Sequence, residues 1–432
     1  MKRGSLEITN TLKYIVISLL TVIILTSFFF VKIKFDNTSD DLIAVYLDEE
    51  KVNAFPSKDS GYKFKEAKCS NGENGYWDID NWQFIFNTSN KTRCKLYFVK
   101  VDQTAVEYIN NLDKEANFLV EDETSDNNLR YIGANPNNYV KFNDELWRIV
   151  GVFNNIDTIS GEKKSLIKIR RKESLGNYAW DTSDSSINEG IGINQWGQSS
   201  GYDGADIMKE LNTDYLGSVM VGTDGKWYSD KNNGKTSDMP ASSINFTSKK
   251  MIETVTWNLG SSSVNSGNNT YDANWQSTLT ASISYKRERA NTHGKICTSG
   301  TRCDDTIVRT STWIGKIGLL YFSDYSYATS GGTTNDRRYC LSLSQADLRN
   351  LGDGKKDCLD NNWLFSTADY QWAMTPAGTS YSSHSSFLVR NDKTFTVGTD
   401  YGIAAIYPTL YLKSSISIIA GDGSEDNPYI LG

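Results

Sequence analysis

The sequence predicts an α+β protein: a single transmembrane helix, a small disulfide-linked β domain, and a larger mixed domain at the carboxyl end. Three observations carry that prediction. One uncharged apolar run stands near the start, strand-like and helix-like hydrophobic periods follow in separate blocks rather than in βαβ alternation, and the six cysteines fall into local pairs. The 432 residues are enough for two or three domains, and the 24 Tyr, 17 Phe and 11 Trp amid Asn, Ser, Thr and Gly suit short strands joined by polar turns. A net charge of -7 argues against a nucleic-acid partner, which calls for a basic face.

The run Tyr14 to Val31, "YIVISLLTVIILTSFFFV", is 18 residues without a charge, long enough to cross a bilayer core. No small-x-small cleavage site follows it, so the expectation is an uncleaved anchor over 13–33 behind a cytoplasmic tail, 1–12. Lys2, Arg3 and Lys13 precede the run and Lys32 and Lys34 follow it, a weak vote for a cytoplasmic amino terminus. All remaining bulk then lies on one side, expected to be extracellular. Cysteine usage agrees. Cys69 with Cys94, Cys297 with Cys303 and Cys340 with Cys358 is the pairing with the shortest loops among 15 connectivities. Zinc is the weaker reading, since no CxxC occurs and His293 and His384 are the only histidines.

Residues 41–101 read as a small all-β domain. "LIAVYL", "YKFKEAKC", "WQFIF" and "KLYFVK" are strand-like, with turn clusters between them, and Trp77 and Trp82 are expected in the core. Over 102–127 the period becomes helical: Thr104 and Glu107 have capping-box spacing, Val106, Ile109, Leu112 and Ala116 share a face, and "EDETSDNN" reads as an acidic linker. From 128 to 432 "YVKFNDELWRIVGVF" and "KKSLIKIRRK" open a meander. Helical patterns follow at Ala205 to Leu211 and Ser248 to Leu259, with long loops at 180–204 and 260–276. "QWAMTP", "SFLVRNDKTFTV", "AAIYPTLYL" and "SISIIAG" then return to strands. In "GLLYFSDYSYATSGG", Gly318 to Gly332, Ser323 is expected to cap a short helix. No GxSxG elbow surrounds it, so a nucleophile is not expected there.

A strand, Ser, a short aromatic-rich helix and a glycine pair resemble the central signature of bacterial C-type-lectin-like domains, distantly similar to the formylglycine-generating and sulfatase-modifying fold. "VKFNDELWRIVGV" at the entry and "QWAMTP" with "GIAAIYPTLYL" at the exit are similar to an uncharacterised bacterial surface branch of that group, of Gram-positive gut type. The resemblance covers 128–432 and implies a lectin-like domain with long loop insertions. Tyr407 stands where the group has an Arg before Pro408, and no reactive cysteine pair matches, so the oxidase chemistry is not implied.

Among candidate constellations, the carboxylate pairs Asp203 with Asp206 and Asp304 with Asp305 are outweighed by solvated roles. In "AGDGSEDNPY", Asp422, Asp426 and Asn427 suggest Ca²⁺, yet the EF-hand spacing is absent and a terminal turn is the simpler account. Arg287 and Arg289 in "YKRERANTHGK" suit an anion or, more simply, a surface strand or an ion-paired stretch. Trp180, Trp196, Tyr202, Trp227 and Tyr228, on loops rich in polar residues, are the candidate ligand-binding set, with one or two expected on a working surface. No catalytic residue, cofactor or metal is assigned. The expected function is a membrane-anchored extracellular binding or adhesion protein whose partner is a glycan or a cell-surface protein. The alternatives are a structural wall component or an extracellular glycan hydrolase.

Overall fold

The computed structural model describes residues 43–70, 75–86, 92–181, 194–198, 204–217, 244–265, 270–291, 310–365, 370–377, 385–399 and 402–432. Among the described residues strand outweighs helix, 37% to 21%. Among the described residues no helix is long and apolar enough to cross a membrane, and Tyr14 to Val31 lies outside them. The fold class is therefore corrected to a sheet-rich mixed protein in which no described helix is long and apolar enough to span a membrane. The chain divides into two compact units, residues up to 77 with 82–102, and 78–81 with 103–432.

In the first unit four strands lie in the order Glu50–Val52, Ile43–Leu47, Cys94–Lys100, Tyr62–Cys69. Asp48 and Glu49 both take positive φ, which gives the tight two-residue turn between the first two strands the twist a hairpin needs. Alternation then sorts the residues: Val45, Leu96 and Phe98 are buried, while Tyr46, Lys95 and Tyr97 point the other way. Trp77 is fully buried, stacked on Phe64 at 5.4 Å and edge-on to Phe98 at 5.0 Å. Trp82 packs edge-on to Trp77 at 5.1 Å and donates its indole N–H to the Pro56 carbonyl at 2.6 Å. Cys69 and Cys94 face each other across the outer strand pair and form a disulfide, as their spacing predicts.

The second unit begins with a helix, Ala105–Asn111, started by the expected capping box of Thr104 and Glu107. Its face docks on the larger unit: Ala105 and Ile109 are buried there, and Tyr108 meets Tyr429 edge-on. What reads as an acidic linker is not one. Leu119–Glu121 pairs with Leu129–Tyr131 as sheet, and Asp122 is 2% exposed.

The main sheet runs Ile317–Gly318, Thr409–Tyr411, Lys163–Arg171, Glu145–Asp157, Tyr139–Phe142, Tyr429–Leu431, Ile418–Ala420, with Leu129–Tyr131 also paired to the long fourth strand. The predicted meander is its centre, turned at Asn143 and Asp144, both at positive φ. A second sheet runs Asn177–Ala179, Ile403–Ala405, Gln371–Pro376, Ser385–Val389, Phe395–Thr399. The run "AAIYPTLYL" is thus shared between two sheets. Pro408 lacks an N–H for either ladder and marks the crossing.

Two helical expectations change. The helix expected over Ser248 to Leu259 is Phe246–Met251, capped by Asn245, followed by the strand Val255–Asn258 paired with Thr312–Gly315. Val255, Trp257 and Leu259 are buried and the residues between them are half-buried, so a period of two overrides the period seen from Met251 and Ile252. The basic stretch around Arg287 is a helix, Ala281–Glu288, not a surface strand. At the carboxyl end the acidic turn closes on itself: Asp422 accepts from Ser424 N–H, and the Asp422 N–H bonds the Asn427 carbonyl. It returns Tyr429–Leu431 to the sheet beside Tyr139–Phe142. No metal-type cluster occurs among the described residues.

Candidate functional site

The corner 318–332 organises the middle of the large unit. Its helix is Phe322–Tyr327, and carboxylates rather than the Ser323 hydroxyl satisfy its first turn. Asp324 accepts from the Tyr321 N–H at 3.0 Å. Glu288, reaching from the end of Ala281–Glu288, accepts from the Ser323 N–H at 2.9 Å and the Ser323 hydroxyl at 2.5 Å. Ser323 is fully buried and donates its only proton to that carboxylate, which makes it a structural clamp. Gly331, at φ +67°, lets the chain leave, since a Cβ there would lie 2.4 Å from the Arg337 nitrogen.

Asp324 is also the hub of a buried ion cluster. Its two oxygens accept from Lys168 Nζ at 2.6 Å and Arg130 at 2.8 Å, and Arg130 in turn reaches Asp122 at 2.7 Å. All four side chains are at most 1% exposed, and two cations balance two anions. Both cations sit against the ring of Phe153, each at 4.6 Å. Burial works to raise the Asp324 pKa, but Lys168 and Arg130 overcome it and hold the carboxyl at about 2. Burial lowers Lys168 to about 8 against the pull of Asp324. Glu288, without so close a cation, is pushed up to about 7 by burial.

This cluster reaches the surface at one side. A cleft of about 360 Å³ opens over Asp122, Glu123 and Tyr327, flanked by Ser282 on one helix and by Arg337, Arg338 and Ser342 on another, Arg337–Ser342. That second helix is capped by Asp336 and tied by Cys340 to Cys358, the second predicted disulfide to be present. Arg337 donates to the carbonyls of Thr329 at 3.1 Å and Tyr327 at 3.2 Å. It forms no salt bridge among the described residues. Burial, with Arg130 nearby, lowers its pKa to about 10, although Asp122 pulls the other way. A part-buried guanidinium without a carboxylate partner, beside a tyrosine ring and two hydroxyls in an open cleft, is suited to an oxyanion on a hydroxylated ligand.

The aromatic candidates fall elsewhere. Trp180 is fully buried between Trp196 at 5.2 Å and Trp372 at 5.7 Å, and Trp196, 1% exposed, also meets Trp313 at 5.9 Å. Both are core residues, not surface ones, because other indole rings enclose each of them. Tyr202, Trp227 and Tyr228 lie outside the described residues, as do Cys297, Cys303, His293, His384, Asp203, Asp304 and Asp305. Asp206 is buried and pairs with Lys209 at 3.1 Å. Arg287 pairs with Asp272 at 2.7 Å, and Arg289 lies over the Tyr285 ring at 3.4 Å, so ion pairing and stacking account for both. Sequence reading missed Asp122, Arg130 and Arg337. The one available signal was an Arg set between the apolar Leu129 and Tyr131. Compared with known proteins, the chain matches no family model, no curated protein and no solved structure.

Proposed function

We propose that the chain is an extracellular binding protein whose large unit holds an acidic glycan, or the acidic group of a cell-surface partner, in the cleft beside Tyr327. The observation that carries this reading is Arg337, a part-buried guanidinium at an open cleft that bonds backbone carbonyls and, among the described residues, forms no salt bridge with the Asp122 and Glu123 carboxylates that share the cleft. The two disulfides support an oxidising compartment. The motif resemblance to lectin-like surface domains supports a binding role over a catalytic one. Ser323, the serine at the strand–helix corner of the signature, is fully buried and bonded to Glu288.

A glycan array probed with the full chain tests the reading. Uronate- or sialate-bearing glycans are retained and their neutral counterparts are not, and Arg337→Gln lowers retention at least tenfold at unchanged melting temperature. Equal retention of neutral glycans, or an indifferent R337Q, defeats the assignment of the cleft. Release of shortened glycans by the same preparation would replace binding with hydrolysis.

A further inference from the structure

The first unit carries a second, independent feature on the outer face of its sheet. A groove of about 500 Å³ lies there, lined by Tyr46, Lys51, Lys68, Arg93, Lys95 and Tyr97 among others. Its rows follow from strand register. Tyr46 is opposite Lys51 on one side and Tyr97 on the other, and Lys95 lies directly opposite Lys68. The two tyrosine rings stack at 4.9 Å and 21°, and the Lys68 ammonium sits 5.0 Å from the Tyr97 centroid.

Two facing lysines on neighbouring strands repel, so the sheet would be steadier with an opposite charge at either place. Lysines on an edge strand are often explained as guards against edge-to-edge pairing. That account covers Lys68, on the outermost strand, but not Lys95, whose strand is paired on both sides. Glu66 lies 2.9 Å from Lys68, while Lys95 forms no ion pair among the described residues. The face therefore presents a cationic ladder interrupted by phenol hydroxyls.

We propose that this groove is a binding site for an acidic polysaccharide, a chain of hydroxylated units bearing regularly spaced carboxylates or phosphates. Charge complementarity selects the anion, and the phenols and ammoniums together supply donors for hydroxyl and oxyanion oxygens. Nucleic acid fits less well. The tyrosines spend one face each on the other, and Lys68 covers an outer face, which leaves little open ring for bases to stack on.

The test is binding of the full chain to polygalacturonate, to poly(glycerol phosphate), to neutral dextran and to single-stranded DNA, at low and at physiological salt. The proposal expects one or both of the first two to bind and dextran not to, with affinity falling at least tenfold in the exposed double variant Lys68→Glu/Lys95→Glu. Polygalacturonate alone assigns the carboxylate source, and poly(glycerol phosphate) alone the phosphate source. Every measurement is made in the Arg337→Gln chain, so that polymer held in the cleft of the large unit is not counted as binding to the groove. Circular dichroism and an intact 69–94 disulfide verify that the variant is folded. Failure of both anionic polymers to bind, unchanged affinity in the folded double variant, or equal or tighter binding of DNA overturns the proposal.

Discussion

The two units solve the problem of a stable interior differently. The first is held by aromatic rings, with Trp77 enclosed by Phe55, Phe64, Trp82 and Phe98, and by one disulfide. The second encloses charge: Asp122, Arg130, Asp324 and Lys168 sit among Phe153, Tyr321 and Tyr411. Size accounts for the difference. A unit of about 60 residues buries too little apolar surface to offset the desolvation of ions, whereas one of about 300 can. Buried charges also fix which strands and helices meet, because any mispairing strands an ion. In the large unit they join the strands 129–131 and 163–171 to the helix 322–327.

The comparison breaks most sharply at Asp324. Asp324→Ala removes the one anion shared by two buried cations and the carboxylate bonded to the Tyr321 N–H. The expected cost is about 3–5 kcal/mol in the large unit. Two-wavelength thermal melts, read separately because the two units need not unfold together, would show the large unit's transition falling while the small one's stays. A change of less than about 1 kcal/mol would mean that the cluster is not closed as described.

The small unit breaks at its staple. Replacing Cys69 and Cys94 by Ser removes a cross-link between paired strands and is expected to cost about 2–4 kcal/mol, a large share of what so small a unit has. The matching change at Cys340 and Cys358 costs the large unit a smaller fraction of its stability. If both pairs prove equally dispensable in urea melts, the contrast drawn from size is wrong.

A pH titration sharpens the charged side of the comparison. Glu288 is raised to about 7, so between its unfolded value of 4.5 and 7 the folded chain holds a proton that the unfolded chain has lost. Its contribution is complete below pH 4.5 and is lost as pH rises through 7, at most about 3 kcal/mol. Asp324 runs the other way: lowered to about 2 from 3.8, it stabilises above pH 3.8 and fails as pH falls through 2. These two carboxyls together favour the large unit most near pH 4–5, and Lys168, lowered to about 8 from 10.5, adds stability back only as pH rises from 8 toward 10.5. Glu288→Gln should flatten the alkaline side, and a wild-type maximum at pH 8 would contradict the burial of that carboxyl.

Legibility in the sequence divides along the same line. The small unit's longer strands, its tryptophan core and its cysteine pair were readable, because each follows from alternation, size or spacing within a short window, whereas the short strands Glu50–Val52 and Gly75–Asp78 were not. So was the Thr104 cap, whose signal is local, whereas the turn at Asn143 and Asp144 splits what reads as one strand-like run. The ion cluster was not. Asp122 in "EDETSDNN" looks like any solvated acid until Arg130 is placed beside it, and Arg130 is joined to a helix 194 residues away. Trp180 and Trp196 misled for the converse reason: polar loop surroundings in sequence say nothing of the Trp372 ring that covers them in space. The cleft at Arg337 needed both a helix cap and a disulfide to be set in place before it existed at all.

The smallest effect expected lies at Ser323, where it is also most specific. Ser323→Ala removes the hydroxyl donor to Glu288 but leaves the backbone N–H bond, so the stability loss at neutral pH should be about 1–2 kcal/mol. That hydroxyl favours the ionised carboxyl; without it the Glu288 pKa rises further, and the pH at which the large unit loses this contribution moves upward. A nucleophile would behave otherwise, with a chemical activity abolished and the stability profile unmoved. An alkaline shift of the melting profile in S323A, with glycan retention at Arg337 unchanged, identifies a corner that holds two helices together and takes no part in binding.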